Sequence, residues 1–246
     1  MKPKELKISG NLIVTTENQN NFKNLTKSGS IDVQQGATLT APALTEVSGS
    51  IDVQQGATLT APALTEVSGY IDVYEGATLT AQALTKSDSI DVRQGATLNI
   101  PQLKGLSYKS VDKTLFVVEQ ERTSKGVKIY SGYVITKISD GKAVKNQCFV
   151  AEKDNYTAHG DTVKKAISDV QFKIVAEKLK SEPISEDTIV TINHYRLITG
   201  ACEMGVNSWM EQNKQVTDGI KAKNFLPILE KTGAYGLDRF KELINF

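Results

Sequence analysis

Three sets of residues in this chain have the types and spacing that chemistry requires. The first is an aspartate that returns at a fixed step, Asp32, Asp52, Asp72 and Asp91, each time between an isoleucine and a valine. On strands stacked about 4.8 Å apart, four such carboxylates form a column. Neighbours in it repel by roughly 1 kcal/mol at a water-like dielectric and about 3 at an effective value of 20. Such a column either meets positive charge, on a basic partner surface or a cation, or splays its carboxylates into water as a by-product of duplication. The flanking positions vary: Ser30, Ser50, Tyr70 and Ser89 on one side, Gln34, Gln54, Tyr74 and Arg93 on the other, with Glu75 after Tyr74. Tyr and Arg are common interface anchors. The expected partner-binding residues are therefore Asp32, Asp52, Asp72, Asp91, Tyr70, Tyr74, Glu75 and Arg93.

The second set is Cys148, His159, His194 and Cys202. Cysteine before histidine permits a thiol nucleophile with an imidazole base. Cys148, however, stands in an apolar run between Gln147 and Phe149, where a buried structural thiol is expected. His159 precedes a helix start, where packing of the loop is the simpler role. No C-x2-C or H-x3-H pair marks a zinc site, and no phosphate loop, dinucleotide fingerprint, metalloprotease or nucleophile-elbow motif occurs. The sequence thus assigns no catalytic residue, no metal and no cofactor, and the chain reads as a non-enzyme. The third set is a Thr-x-Thr pair, Thr38/Thr40, Thr58/Thr60 and Thr78/Thr80, ending in Thr97 with Asn99. Threonine also suits exposed strand positions for conformational reasons alone.

An internal repeat must position all of these. Residues 30–49 and 50–69 are identical at all twenty positions; drifted copies follow from Tyr70 to Asp88 and from Ser89 to Gly105, and Leu6–Val14 with Asn24–Gly29 resembles a degenerate first copy. Alignment gives apolar rows: Leu12, Ile31, Ile51, Ile71, Ile90; Val14, Val33, Val53, Val73, Val92; Leu39, Leu59, Leu79, Leu98; and Leu44, Leu64, Leu84, Leu103. Alternation over Ser-Ile-Asp-Val and Ala-Thr-Leu-Thr has the period of a strand with one buried face. Gly36, Gly56, Gly76 and Gly95 are placed to turn the corner between strands, and Pro42, Pro62 and Pro101 to stop the second. The step shortens by one residue where a valine is missing before Ser28 and Ser87, read as a tightened turn. Twenty residues bury no core alone, so the copies must stack and both ends need caps.

These copies resemble leucine-rich-repeat solenoids of the short bacterial and receptor-L-domain-like kind over about residues 6–105, a kinship that implies a recognition surface. The threonine column resembles the ice-binding faces of some β-solenoid antifreeze proteins.

Beyond Gly105 the repeat ends. Lys113–Glu121, Gly126–Ile138 and Asn146–Glu152, joined by a Ser-Lys-Gly turn and by Asp140-Gly141, read as a three-stranded antiparallel meander. A helix is expected from Asp161 to about Lys180, with Asp161 or Gly160 as N-cap and Val163, Ile167, Val170 and Ile174 on one face. A second, from Ser185–Asp187, aligns Tyr195, Ile198, Cys202, Gly205 and Trp209. Shorter helices follow near Ile220–Lys231 and Leu237–Ile244. The expected fold is a β-solenoid of leucine-rich-like repeats of about 20 residues over 1–105, followed over 106–246 by an α+β domain of meander plus helices that caps it. The wording of Ala158–Ile174 and Tyr195–Val206 is similar to a domain of uncharacterised phage and mobile-element proteins. That resemblance implies a host protein as partner, a defence factor being inhibited among them.

The 246 residues carry 29 Lys+Arg and 28 Asp+Glu, a formal charge of +1. The lysines of the Asp161–Lys180 segment are interspersed with Asp169 and Glu177, a solvated face that disfavours nucleic acid as partner. Two cysteines and the lack of an apolar leader or membrane-length run point to a cytoplasmic protein with no membrane partner. An exposed solenoid edge leaves homo-oligomerisation open. The alternatives are a C-terminal enzyme or nucleotide-sensing module that the repeats target, and a virion surface or ice-binding component.

Overall fold

The structure, a computed structural model, describes residues 5–19, 22–181, 184–201, 203–213 and 219–244. Its first half is a β-solenoid of about five turns. The turns lay their strands on two sheets, in which successive turns pair in parallel. One sheet takes β1 (Leu6–Val14), β2 (Leu25–Val33), β4 (Glu46–Val47) with β5 (Ile51–Val53), β7 (Glu66–Val73) and β9 (Lys86–Val92); the other takes β3 (Thr38–Thr40), β6 (Thr58–Thr60), β8 (Thr78–Thr80) and β10 (Thr97–Asn99). The pairing is in repeat register: Ile31 faces Ile51 and Ile51 faces Ile71, while Leu39, Leu59, Leu79 and Leu98 stack on the opposite wall. All four expected apolar rows are buried, and Leu25 adds a member to the Leu44 row. Burial of a full Leu or Ile side chain stabilises by about 1.5–3 kcal/mol, so the rows hold the coil together.

The corner glycines Gly36, Gly56, Gly76 and Gly95 have φ between +66° and +76°, the left-handed region that glycine enters without cost. The prolines are dispensable as strand stops, since β8 ends at Thr80 before Ala81-Gln82 just as β6 ends before Ala61-Pro62. A second glycine column has another cause. A Cβ on Gly69 would lie 2.9 Å from the Gly49 carbonyl oxygen, and one on Gly29 would lie 2.4 Å from that of Gly10, because successive coils touch backbone to backbone there. Where the repeat shortens, no position is left empty. Ser28 and Ser87 fill the valine sites opposite Val47 and Val67, and each buried hydroxyl donates to the carbonyl two residues on, at 3.0 Å to Ser30 and 2.8 Å to Ser89. The missing residue is taken out of the bend that follows.

After a single 3-10 turn (Pro101–Leu103) come five antiparallel strands rather than three: β11 (Ser107–Val111), β12 (Thr114–Ser124), β13 (Val127–Ser139), β14 (Lys142–Lys153) and β15 (Tyr156–Gly160). Four two-residue turns join them, Asp112-Lys113, Lys125-Gly126, Asp140-Gly141 and Asp154-Asn155, each with both φ values between +48° and +75°. That is the turn whose twist matches a hairpin. The first and last lack glycine, which hid them in the sequence. Thr114 of β12 pairs with Asp91 of β9 and Ile138 of β13 with Ser87, so the meander continues the solenoid's larger sheet. Leu115, Val117, Tyr133, Ile135 and Ile138 join the solenoid core and cover its C-terminal end. The cap is thus the meander, and residue 105 falls within a unit made of Met1–Glu152 and Thr157–Ala166.

The other unit, Lys153–Tyr156 with Ile167–Phe246, is a small helical region. The helix α1 (Val163–Ser181) starts on Thr162, whose hydroxyl accepts the Lys165 N–H at 3.1 Å, instead of on Asp161 or Gly160. Val170 is buried, and Val163, Ile167 and Ile174 are half-buried. Then come β16 (Ile189–Val190), α2 (Ile192–Thr199), α3 (Glu203–Gln212), β17 (Ile220–Lys221), α4 (Ala222–Thr232) and α5 (Leu237–Leu243). The single helix expected from Ser185 is in fact two. Gly200 ends α2 in the left-handed conformation, φ +71°, with its N–H on the Arg196 carbonyl, and a left-handed residue stops helix propagation. Cys202 lies outside the described residues. Tyr195, Phe225, Phe240 and Trp209 pack as an aromatic cluster with centroid separations of 5.6 to 6.2 Å.

Candidate functional site

The parallel register brings Asp32 opposite Asp52, Asp52 opposite Asp72 and Asp72 opposite Asp91, so the four carboxylates do form a column on the larger sheet. Their surroundings differ. Asp32 and Asp52 are half-buried, Asp72 is only 9% exposed, and Asp91 is exposed beside the second meander strand, β12.

Each of the first three is answered by a donor, and in each case the neighbouring turn takes part. Asp32 accepts from the Gln34 side chain at 2.7 Å and, one turn on, from Gln54 at 3.3 Å. The equivalent position after Gln54 is Tyr74, whose side chain gives Asp52 no amide donor. There the hydroxyl of Tyr70, where the other copies have serine, donates to Asp52 at 3.2 Å. Asp72 forms an ion pair with Arg93 of the following turn at 2.9 Å, and the same guanidinium lies over the Tyr74 ring, 4.1 Å from its centroid. Of the eight residues that the sequence singled out, Asp52, Tyr70, Asp72, Tyr74 and Arg93 are therefore brought together. Tyr70 is 47% exposed, and Glu75 is exposed at the adjoining corner, its carbonyl accepting the Gly56 N–H. The glutamines were missed as donors, although their step of two from each aspartate was legible.

Charge on this face is incompletely balanced. Burial pushes the Asp52 carboxyl above its ordinary value; the Tyr70 hydrogen bond pulls it back, and the charges on Asp32 and Asp72 push the same way as burial. The glutamates on the same sheet behave otherwise: Glu46 is paired with Lys27, and Glu66 with Lys86 at 2.6 Å. Acidic ranks in this coil can thus be neutralised by cations within it, and among the described residues Arg93 is the one that forms an ion pair with a column aspartate.

Of the Cys and His candidates among the described residues, Cys148 and His159 belong to the first unit and His194 to the second. Cys148 is half-buried against the cluster of Val111, Phe116, Tyr130, Val134 and Val150, and burial pushes its thiol up, away from the nucleophilic thiolate. His159 lies 3.3 Å from the Asp112 carboxylate, both partly exposed. His194 belongs to the other unit and caps a helix. Among the described residues no cluster of three or more His, Cys, Asp or Glu could hold a metal ion, and no helix is long and apolar enough to cross a membrane. The threonines form a four-stranded parallel ladder, Thr38-Thr58-Thr78-Thr97 beside Thr40-Thr60-Thr80-Asn99, with the Asn99 amide donating to the Thr80 hydroxyl at 3.1 Å. The helical unit contains a cavity of about 490 Å³ walled by Tyr195, Ala201, Val206, Trp209 and Tyr235. No family model, curated protein or solved structure matches the chain significantly.

Proposed function

We propose that this chain is a non-enzymatic binding module whose larger sheet docks a protein partner through Tyr70, Tyr74, Glu75 and Arg93 together with the carboxylates beside them. One observation carries the reading. Among the positions where the later turns depart from the duplicated sequence are those flanking the column, where Ser and Gln give way to two tyrosines and an arginine that cross-brace Asp52 and Asp72. Aromatic rings and a guanidinium held rigid by ion pair and hydrogen bond lose little entropy on docking. The raised thiol of Cys148 and the capping role of His194 support the non-enzymatic part.

The leucine-rich-repeat kinship of the turns and the α+β character of the C-terminal half belong to this proposal, supported by the buried leucine rows and by the order of strands before helices. So does the partner class. The phage-like wording of the C-terminal half points to a bacterial host protein met in the cytoplasm, and inhibition of a host defence factor is the specific case to test. The experiment is affinity capture from a bacterial lysate with the full chain, run beside Tyr70→Ala/Glu75→Lys on the proposed face and Thr58→Ala on the opposite sheet. A partner held by wild type and Thr58→Ala but lost from the double variant supports the reading. A partner retained by the double variant contradicts it.

The in-register threonine ladder favours a second reading, an ice-binding or virion surface role. Thermal hysteresis in the purified protein, abolished by Thr58→Ala/Thr78→Ala, would support the ice-binding form.

A further inference from the structure

We propose that His194 is an acid-released latch on helix α2, which holds one wall of the helical unit's cavity in place at neutral pH and frees it when the imidazole takes up a proton. Helix α2 has only eight residues, and Thr191 is its N-cap, with extended backbone at φ −105° and ψ 172°. The Thr191 backbone N–H donates to His194 Nδ1 at 3.2 Å, and the Thr191 hydroxyl lies 2.9 Å from the same nitrogen. The motif is a capping box, and its third helical position is ordinarily Glu or Gln, whose side chains accept at any pH near neutrality. Histidine there makes the cap conditional. Nδ1 accepts only while it keeps its lone pair, so the capping ring is neutral and carries its proton on Nε2. A proton on Nδ1 turns the acceptor into a donor that faces the Thr191 N–H.

The surroundings favour the neutral ring. Burial lowers the His194 pKa from its ordinary 6.5, and Lys178 of α1 pushes it the same way. From β16 come only Ile189 and Val190; Glu186 and Asp187 before it are engaged by Lys223 and by Lys221. On α2 itself Arg196 lies over the Phe172 ring of α1. Arg239 of α5 donates to the Thr199 carbonyl at the opposite end of the helix; Asp238, Lys241 and Glu242 are the other charges of α5, with Lys241 paired to Glu230. Glu211 stands in the last turn of α3. With the folded value depressed, the cap is fully present above pH 6.5 and is lost as pH falls through the lowered value.

The cavity registers the change because Tyr195, the next residue, is one of its walls and donates its hydroxyl to the carbonyl of Tyr235, another wall. His159, the only other histidine, serves as the internal contrast: it lies on β15, with its ring 3.3 Å from the Asp112 carboxylate.

Hydrogen exchange of the full chain at about pH 7 and about pH 5, corrected for intrinsic rates, tests the latch. Protection over residues 192–199 should fall about five-fold in wild type, the equivalent of one lost cap. It should stay level in His194→Gln, which keeps the capping box without the titration, and His159→Gln should follow wild type. An equal fall in His194→Gln, or none in wild type, overturns the proposal. Imidazole nitrogen NMR of the wild-type chain decides the point should the variant fail to fold: a neutral His194 protonated on Nε2 supports the latch, and one protonated on Nδ1 overturns it.

Discussion

Turns 30–49 and 50–69 carry the same twenty residues, and their aspartates live in different chemistry. Asp32 receives two glutamine amides, whereas Asp52 receives a tyrosine hydroxyl and has its carboxyl pushed up. Nothing inside either turn makes the difference. It comes from the coils on either side: Asp32 has Ile13 before it and an identical copy after it, whereas Asp52 has Asp32 before it and Tyr70 and Tyr74 after it. In a solenoid each unit touches only the units beside it, so a side chain's environment is written in the neighbouring turns. Duplication supplied a column of carboxylates, and divergence of the following turns set what each does.

Removing one of the identical turns is the most disruptive way to probe this comparison. Deletion of residues 50–69 joins Gly49 to Tyr70 in repeat register and places Tyr70 against Asp32. The variant should fold cooperatively, with a larger fall in melting temperature than either Arg93→Ala or Asp52→Asn causes, and its Asp32 should take up the Tyr70 hydrogen bond that Asp52 accepts in the wild type. Calorimetry and carboxyl NMR check the two parts.

A smaller effect is expected from Arg93→Ala, which strands the nine-tenths-buried Asp72 without its cation. The loss should be about 2–3 kcal/mol at neutral pH, toward the low end of the range for an orphaned buried charge because the pair is partly solvated. Urea denaturation at neutral pH measures it.

Asp52→Asn should act in the opposite direction. The folded carboxyl is raised, so its charged form burdens the native state and the burden grows as pH climbs from the ordinary 3.8 through the raised value. Neutralising it should stabilise the protein at pH 7 by roughly 0.5 kcal/mol and bring no gain in acid. Urea unfolding at the two pH values would show it.

Much of this was legible in the sequence, for reasons specific to repeats. Identical copies announce a common conformation, so the apolar rows, the left-handed corner glycines and the aspartate column could be read from alignment. What escaped depended on single residues acting against pattern. Ser28 and Ser87 occupy valine sites because a hydroxyl bonded to its own chain substitutes for an apolar group. Asp112-Lys113 and Asp154-Asn155 make glycine-type turns, and Gly200 interrupts a face of perfect helical spacing. The donors reaching from the next coil escaped for another reason: which Gln, Tyr or Arg meets which Asp across a turn depends on rotamers, and spacing along the chain carries no record of them.

The most direct test of the claim that the neighbouring turn sets each carboxylate is a carboxyl-carbon NMR titration of Asp52 in wild type and in Tyr70→Phe. The account predicts a wild-type midpoint above 3.8 and a further rise when the tyrosine hydroxyl that pulls it down is removed. A wild-type midpoint at or below 3.8, or one that Tyr70→Phe leaves unmoved, would contradict it.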